Sequence, residues 1–298
     1  YAFEIEFICR LLYLNKIDND AAVAMVKMLI DHKLYQTMMS RDVNFRYSDL
    51  SGVFKDANPW RYFKRLFQNG DLVIPEKIKR ERPILNLTTH DLLGMSDPLT
   101  AGLGNAILFI EVVRHPLYMI AQQTLNMERL VNSPRDIQVS IEYNGQQLPY
   151  FAQGWEEKFV KANPMEKAIY AMQRMMEITK KKREHLKEEN PESIITIPFE
   201  RFVIKPEPFM ADIQVKLDTT VGKKTHKVLR KQNVPREILA DGPDLAIYRR
   251  CGWVPATGKN EEVELDSRRN KVSDEVSKEA LVVMDHMCED YVQNYLSA

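Results

Sequence analysis

FIEVVRHPLYMIAQQ, residues Phe109–Gln123, decides how the rest of the chain is read. An apolar run that starts at Ala106 breaks at Glu111, resumes with Val112 and Val113, and stops at Arg114-His115-Pro116. Apart from Glu111 the run is apolar on both faces, which suits a central strand of a parallel sheet. A helical pattern follows from Pro116 to Leu130, with proline near its first turn, where a missing N–H does no harm. A strand of this kind delivers Arg114 to its own end just where a helix begins. A guanidinium there can grip a phosphate with two parallel hydrogen bonds. The first N–H groups of the following helix are expected to point at the same region. Arg114 is therefore a candidate anion-binding residue; its alternative use is a structural ion pair with a carboxylate.

Outward from this stretch, Pro83–Leu87 reads as a strand running into Thr88-Thr89-His90. Ser193–Ile197 reads as another, ending at Pro198-Phe199-Glu200. Helical patterns cover Tyr1–Leu14, Ala21–His32, Asn58–Gln68, Trp155–Ala162, Pro164–Leu186 and Pro206–Leu217. An amphipathic helix from Ser273 to Tyr295 closes the chain, and Thr219–Lys259 reads as mostly irregular. Asn144-Gly145, flanked by alternating apolar residues from Ile137 to Phe151, predicts a β-hairpin, here an insertion over 137–153. The basic run Lys180–Arg183 reads as a solvated helix face.

Strands alternating with long helices predict an α/β fold with three layers, α/β/α, around a parallel sheet. Ligands of such sheets sit at the carboxyl ends of the strands. His90, Arg114 and Glu200 occupy those ends. His90 is a candidate general base on a hydroxyl, one strand-loop-strand unit before Arg114, so that both are expected to face one cleft.

Composition narrows the function classes. The 298 residues are 44% hydrophobic and 28% charged, ordinary for a globular protein, and are read as one domain. Lys plus Arg and Asp plus Glu balance at 42 each, so there is no global attraction to nucleic acid and any anion site must be local. No apolar run is long enough for a transmembrane segment. Cys9, Cys251 and Cys288 are scattered without metal-ligand spacing and read as free thiols of a reducing, cytoplasmic compartment, with no metal implied. The chain opens at Tyr1 directly in an apolar segment, which reads as a truncated N-terminus.

The order Thr-Thr-His, then Arg-His-Pro with a helix, then Ile-Thr-Ile-Pro-Phe-Glu resembles the sulfotransferases that use 3′-phosphoadenosine 5′-phosphosulfate (PAPS). The resemblance implies a P-loop-NTPase-like α/β fold and transfer of a sulfuryl group from PAPS to an acceptor hydroxyl. It implies that Arg114 holds the 3′-phosphate and that His90 matches the histidine of the family's Lys-Thr-His segment. Gln122 stands where the family often has a serine, and Arg268 or Arg269 matches a late basic loop that closes over the nucleotide. Three departures accompany it. No Gly-rich, Ser/Thr-bearing loop for the 5′-phosphosulfate is found, Gly102-Leu103-Gly104 coming too late. The serine is Gln122, and the lysine of Lys-Thr-His is Thr88. Members of the family sulfate small phenols and alcohols or carbohydrates, and the sparse cysteines and the departure at Thr88 favour a carbohydrate or glycolipid acceptor. A noncatalytic sulfotransferase-like protein that binds a nucleotide or glycan is the alternative. A kinase of related topology would need a lysine-bearing phosphate loop and an acidic metal ligand, and neither is present.

Overall fold

The computed structural model describes residues 2–49, 52–56, 58–130, 139–239, 242 and 260–297, with residues 71, 129 and 130 described by backbone alone. Read from sequence as one domain, the chain groups into two compact units, Tyr1–Leu92 with Ser96–Gly104, and Leu93–Met95 with Asn105–Ala298.

The first unit is helical. Helix α1, Phe3–Tyr13, buries Ile5, Ile8 and Cys9, the i, i+3, i+4 stripe of an amphipathic helix. Burial also pushes the Cys9 thiol up to about 12, which keeps it protonated. Helix α2, Asn19–Met38, starts on Asp18, whose carboxylate accepts the N–H of Ala21 at 2.8 Å. Helix α3 spans Trp60–Arg65, α4 Gly70–Glu81 and α5 Asp97–Leu103. The helix predicted over 58–68 ends before Asn69-Gly70, and Asn69-Gly70 also begins α4. The predicted strand at 83–87 is corrected. These residues alternate between half-buried and exposed, but they form no ladder among the described residues. The carbonyl of Thr88 instead accepts the N–H of Ala2 at 3.1 Å.

The second unit is helix-rich α/β. Strand β1, Phe109–Val113, is followed by α6, Pro116–Leu130. Strands β2, Ser140–Tyr143, and β3, Gln146–Pro149, form the antiparallel hairpin expected around Asn144-Gly145. The hairpin is no surface decoration, because Leu148 is buried in the main core and Ile141 and Tyr143 pack against it. Residues 137 and 138 lie outside the described residues. Then come α7, Glu156–Lys161, and α8, Pro164–Glu189, the latter opened by a reciprocal box in which Asn163 caps Glu166 N–H and Glu166 reaches back. Strand β4, Ile194–Pro198, leads into α9, Phe199–Ile204, then α10, Glu207–Lys216, and α11, Lys223–Lys231. Helix α11 falls where the sequence reads as irregular. Helices α12, Glu261–Glu275, and α13, Lys278–Tyr291, close the chain. The break between them, at Val276-Ser277, divides what reads as one closing helix; Ser277 caps α13 through the N–H of Ala280.

The core of this unit joins Leu117 and Ile120 of α6, Ala168 and Ile169 of α8, and Met284 and Met287 of α13. Strand β1 pairs in parallel with β4, Phe109 opposite Ile194 through Val113 opposite Pro198, and among the described residues with no other strand. The expectation of a strand buried on both faces is corrected: Ile110 is 44% exposed and Val112 61% exposed.

Candidate functional site

The parallel register sets Val113 beside Pro198, so the residues that follow, Arg114 and Phe199, leave the sheet side by side. The Arg114 guanidinium carbon lies 4.7 Å from the Phe199 ring centroid and 5.5 Å from that of Tyr118 on α6. Both distances are those of cation–π contacts, which hold the guanidinium without neutralising it. Arg114 makes no ion pair among the described residues, and its Nε is buried with no hydrogen-bond partner. Leaving such a donor unpaired costs free energy on the order of 1–3 kcal/mol.

The neighbouring carboxylate is committed elsewhere. Glu200, buried in the first turn of α9, accepts the backbone N–H of His115 at Oε1, 3.1 Å, and a short hydrogen bond from the Tyr291 hydroxyl at Oε2. Burial, followed by the Glu200 carboxylate, pushes the Tyr291 hydroxyl well above the usual tyrosine range, so it remains a donor. His115 is buried, and burial pushes its imidazole down to about 4, so it is neutral at ordinary pH. Its Nδ1 accepts the N–H of Leu117 at 3.3 Å, which puts its proton on Nε2.

These bonds correct one expectation. The first turn of α6 was to offer free N–H groups to an anion. Pro116 has none, Leu117 N–H is taken by the His115 ring, and Tyr118 N–H bonds the His115 carbonyl at 3.0 Å. Attraction for an anion here falls to the Arg114 side chain.

Arg268 is not in a loop before the last helix but inside α12. Its Nε and Nη2 both bond Glu264 Oε1, at 3.0 and 2.8 Å, and its guanidinium lies 5.0 Å from the Tyr118 ring centroid. Tyr118 thus has Arg114 and Arg268 as cationic neighbours. Arg269, on the same helix, is drawn to α13, where Asp285 takes Nε at 2.7 Å and Nη2 at 2.6 Å. Gln122 is exposed, one helical turn beyond Tyr118 on the same face of α6.

Beside Tyr118 and Glu200 opens a cavity of about 570 Å³. Ile204, Ile238 and Leu239 form apolar wall, while Glu237, Glu261 and Glu264 add carboxylates to Glu200, against Arg201 and Lys205. Burial, followed by the charges of Glu200 and Glu264, raises the Glu261 carboxyl above its usual range.

His90 belongs to the first unit. Its ring is 54% exposed and stacks near Phe3, at 6.3 Å between centroids. Buried Glu6 accepts its backbone N–H at 2.8 Å and lies 3.2 Å from its Nδ1 through the same oxygen, while Oε2 pairs with Arg10 at 2.9 Å. A carboxylate at Nδ1 makes that nitrogen the donor and Nε2 the basic one. Glu6 and Arg10 were not singled out from sequence, although their i, i+4 spacing on α1 was the available signal. Residues 243–259, which include Tyr248, Arg249, Arg250 and Trp253, lie outside the described residues. Among the described residues no group of three or more His, Cys, Asp or Glu side chains is arranged to hold a metal ion, and no helix is long and apolar enough to cross a membrane.

Comparison of the chain with protein-family models, with curated proteins and with solved structures returns no match.

Proposed function

We propose that this chain is a PAPS-dependent sulfotransferase, with Arg114 as the anchor for the 3′-phosphate. The observation that carries the proposal is an arginine at the carboxyl end of a parallel strand, held by two aromatic rings, with a buried Nε that no group among the described residues satisfies. A phosphate oxygen would satisfy it. With the activity would go the three-layer P-loop-like fold of that family, and the parallel β1–β4 pair is consistent with it.

In the proposed reaction the acceptor oxygen forms a bond to sulfur as the bond from sulfur to the phosphate oxygen breaks. 3′-Phosphoadenosine 5′-phosphate leaves with the electron pair, and the acceptor proton passes to a general base, the role that the resemblance implies for His90. Catalysis would rest on positioning and charge stabilisation. The cavity beside Glu200 is the proposed acceptor site. Its carboxylates are hydrogen-bond acceptors matched to the hydroxyls of a carbohydrate or glycolipid headgroup. Arg268 would join the nucleotide site by exchanging Glu264 for phosphate, whereas Arg269 is directed toward α13 by Asp285.

Calorimetric titration with adenosine 3′,5′-bisphosphate and with adenosine 5′-monophosphate tests the site. Preference for the bisphosphate that disappears in Arg114→Ala supports it. Equal or absent binding of the two nucleotides sinks it.

A further inference from the structure

The first unit carries a surface that the proposed chemistry does not use. Between Val53 and Arg82 the sequence holds eight Lys or Arg against four Asp or Glu, in a chain whose total charge is zero. Large apolar side chains stand out from the same stretch: Phe67 is 90% exposed, Leu72 76% and Trp60 70%. They rise from an ordered base. Phe63 packs against Phe45, Phe54 and Trp60, with ring centroids 5.6 to 6.0 Å apart. Below α4, Ile74 is fully buried. The cations are woven through this patch. Lys55 lies 4.7 Å from the Tyr47 ring, Arg61 and Arg65 lie over Tyr62, and Lys64 is exposed on α3 between Trp60 and Phe67.

From this juxtaposition we infer that the α3–α4 surface is a docking face for an anionic lipid membrane. An exposed apolar patch on a water-soluble surface marks an interaction site. The degree of exposure says which kind. A side chain exposed as fully as Phe67 or Leu72 does not line a groove; it projects. Projecting apolar groups need a complementary pocket on a protein partner, but a fluid acyl boundary receives them without one. Tryptophan with phenylalanine and leucine, ringed by Lys and Arg, is the composition that settles at the headgroup level of a bilayer. The local cationic excess supplies attraction to anionic headgroups that the neutral whole chain lacks. This inference is independent of the sulfotransferase proposal, since neither nucleotide nor acceptor enters it.

Sedimentation of the full chain with vesicles of phosphatidylcholine, with and without phosphatidylserine, tests it. The chain is expected to sediment with the phosphatidylserine-containing vesicles, and high salt should release it. Lys55→Gln with Lys64→Gln should weaken binding roughly thirtyfold, from about a 1 kcal/mol attraction per cation near such a surface. Phe67→Ser with Leu72→Ser should weaken it by at least about tenfold per side chain, with an unchanged far-ultraviolet circular dichroism spectrum. Absent sedimentation, equal sedimentation with both vesicles, or sedimentation that the Phe67→Ser, Leu72→Ser pair leaves intact would overturn the inference.

Discussion

Glu111 of β1 and Arg183 of α8 meet fork to fork, Oε2 to Nε at 2.6 Å and Oε1 to Nη2 at 2.8 Å, with both side chains nearly buried. Thr196 on β4 adds its hydroxyl to Glu111 Oε2 at 3.2 Å. The one charge that interrupts the apolar run of β1 is thereby satisfied, and it ties both strands of the sheet to the long helix. Arg183 also leaves the solvated face to which the basic run assigned it; Lys180 of the same run pairs with Asp290 on α13 at 3.0 Å.

Removing one member of that pair is expected to cost more than removing both. Glu111→Gln leaves Arg183 buried without a counter-charge, at a cost of about 3–5 kcal/mol. Glu111→Leu combined with Arg183→Met should recover most of that loss. Urea unfolding of the three chains measures it. A double variant no better than Glu111→Gln would show that the ion pair itself, and not the avoidance of an orphaned charge, carries the stability.

His115 makes the fold sensitive to acid. Its folded value, about 4, lies below the ordinary histidine value of 6.5, so the unfolded chain binds the extra proton more readily. Its share of stability is complete above about pH 6.5 and is lost as pH falls toward 4, roughly 2 kcal/mol between pH 7 and pH 5. Asparagine at this place keeps an acceptor where Nδ1 meets Leu117 N–H but does not titrate. The difference in unfolding free energy between pH 7 and pH 5 should therefore shrink in His115→Asn, and an unaltered difference would assign the acid sensitivity to other groups.

Gly94 sits against the long helix. A Cβ there would come within 2.7 Å of Ile178 Cγ1 and 3.0 Å of the Thr179 nitrogen. The backbone of α8 cannot step aside as a flexible side chain would, so Gly94→Ala should destabilise the second unit by about 1–3 kcal/mol. A thermal melt suffices; an unchanged midpoint would mean that the turn at Leu93–Met95 shifts freely.

Arg114→Lys separates charge from shape. Lysine keeps the positive charge but loses the planar fork and the face that lies against Phe199. Affinity for adenosine 3′,5′-bisphosphate should fall at least about tenfold, while stability holds or improves because the buried unpaired Nε is gone. Calorimetry beside a melt reads both, and undiminished affinity would point to a site that senses charge alone.

His90→Ala should leave folding and nucleotide binding intact, because the ring is half exposed and the bond to Glu6 that orders the loop comes from the backbone N–H. Sulfuryl transfer to an acceptor should fall by about 10²–10⁴ if His90 is the base. Full activity would move that role to a carboxylate, with raised Glu261 the first to replace.

Much of the local structure was legible in the chain itself. Apolar spacing announced α1, α6 and α8, Asn144-Gly145 announced the hairpin, and Arg-His-Pro marked the passage from β1 into α6. Each rests on contacts a few residues apart, which periodicity and turn chemistry record. The strand predicted at 83–87 failed because alternation describes which side chains face inward, not whether another strand lies within hydrogen-bonding reach. Helix α4 was passed over because Asn-Gly serves equally to end one helix and begin the next.

What tertiary structure alone decided is the wiring of the site. Parallel register brought Arg114 beside Phe199. Folding carried Glu200 back to the His115 N–H, 85 positions away, and brought Tyr291 to it from 91 positions further on. It spent Glu200, the first-turn amides of α6 and Glu264 on neighbours, and left the Arg114 Nε without one. No local pattern encodes such choices. A buried polar group takes the partner that packing brings within hydrogen-bonding distance, and that partner is set by how distant segments fill one core.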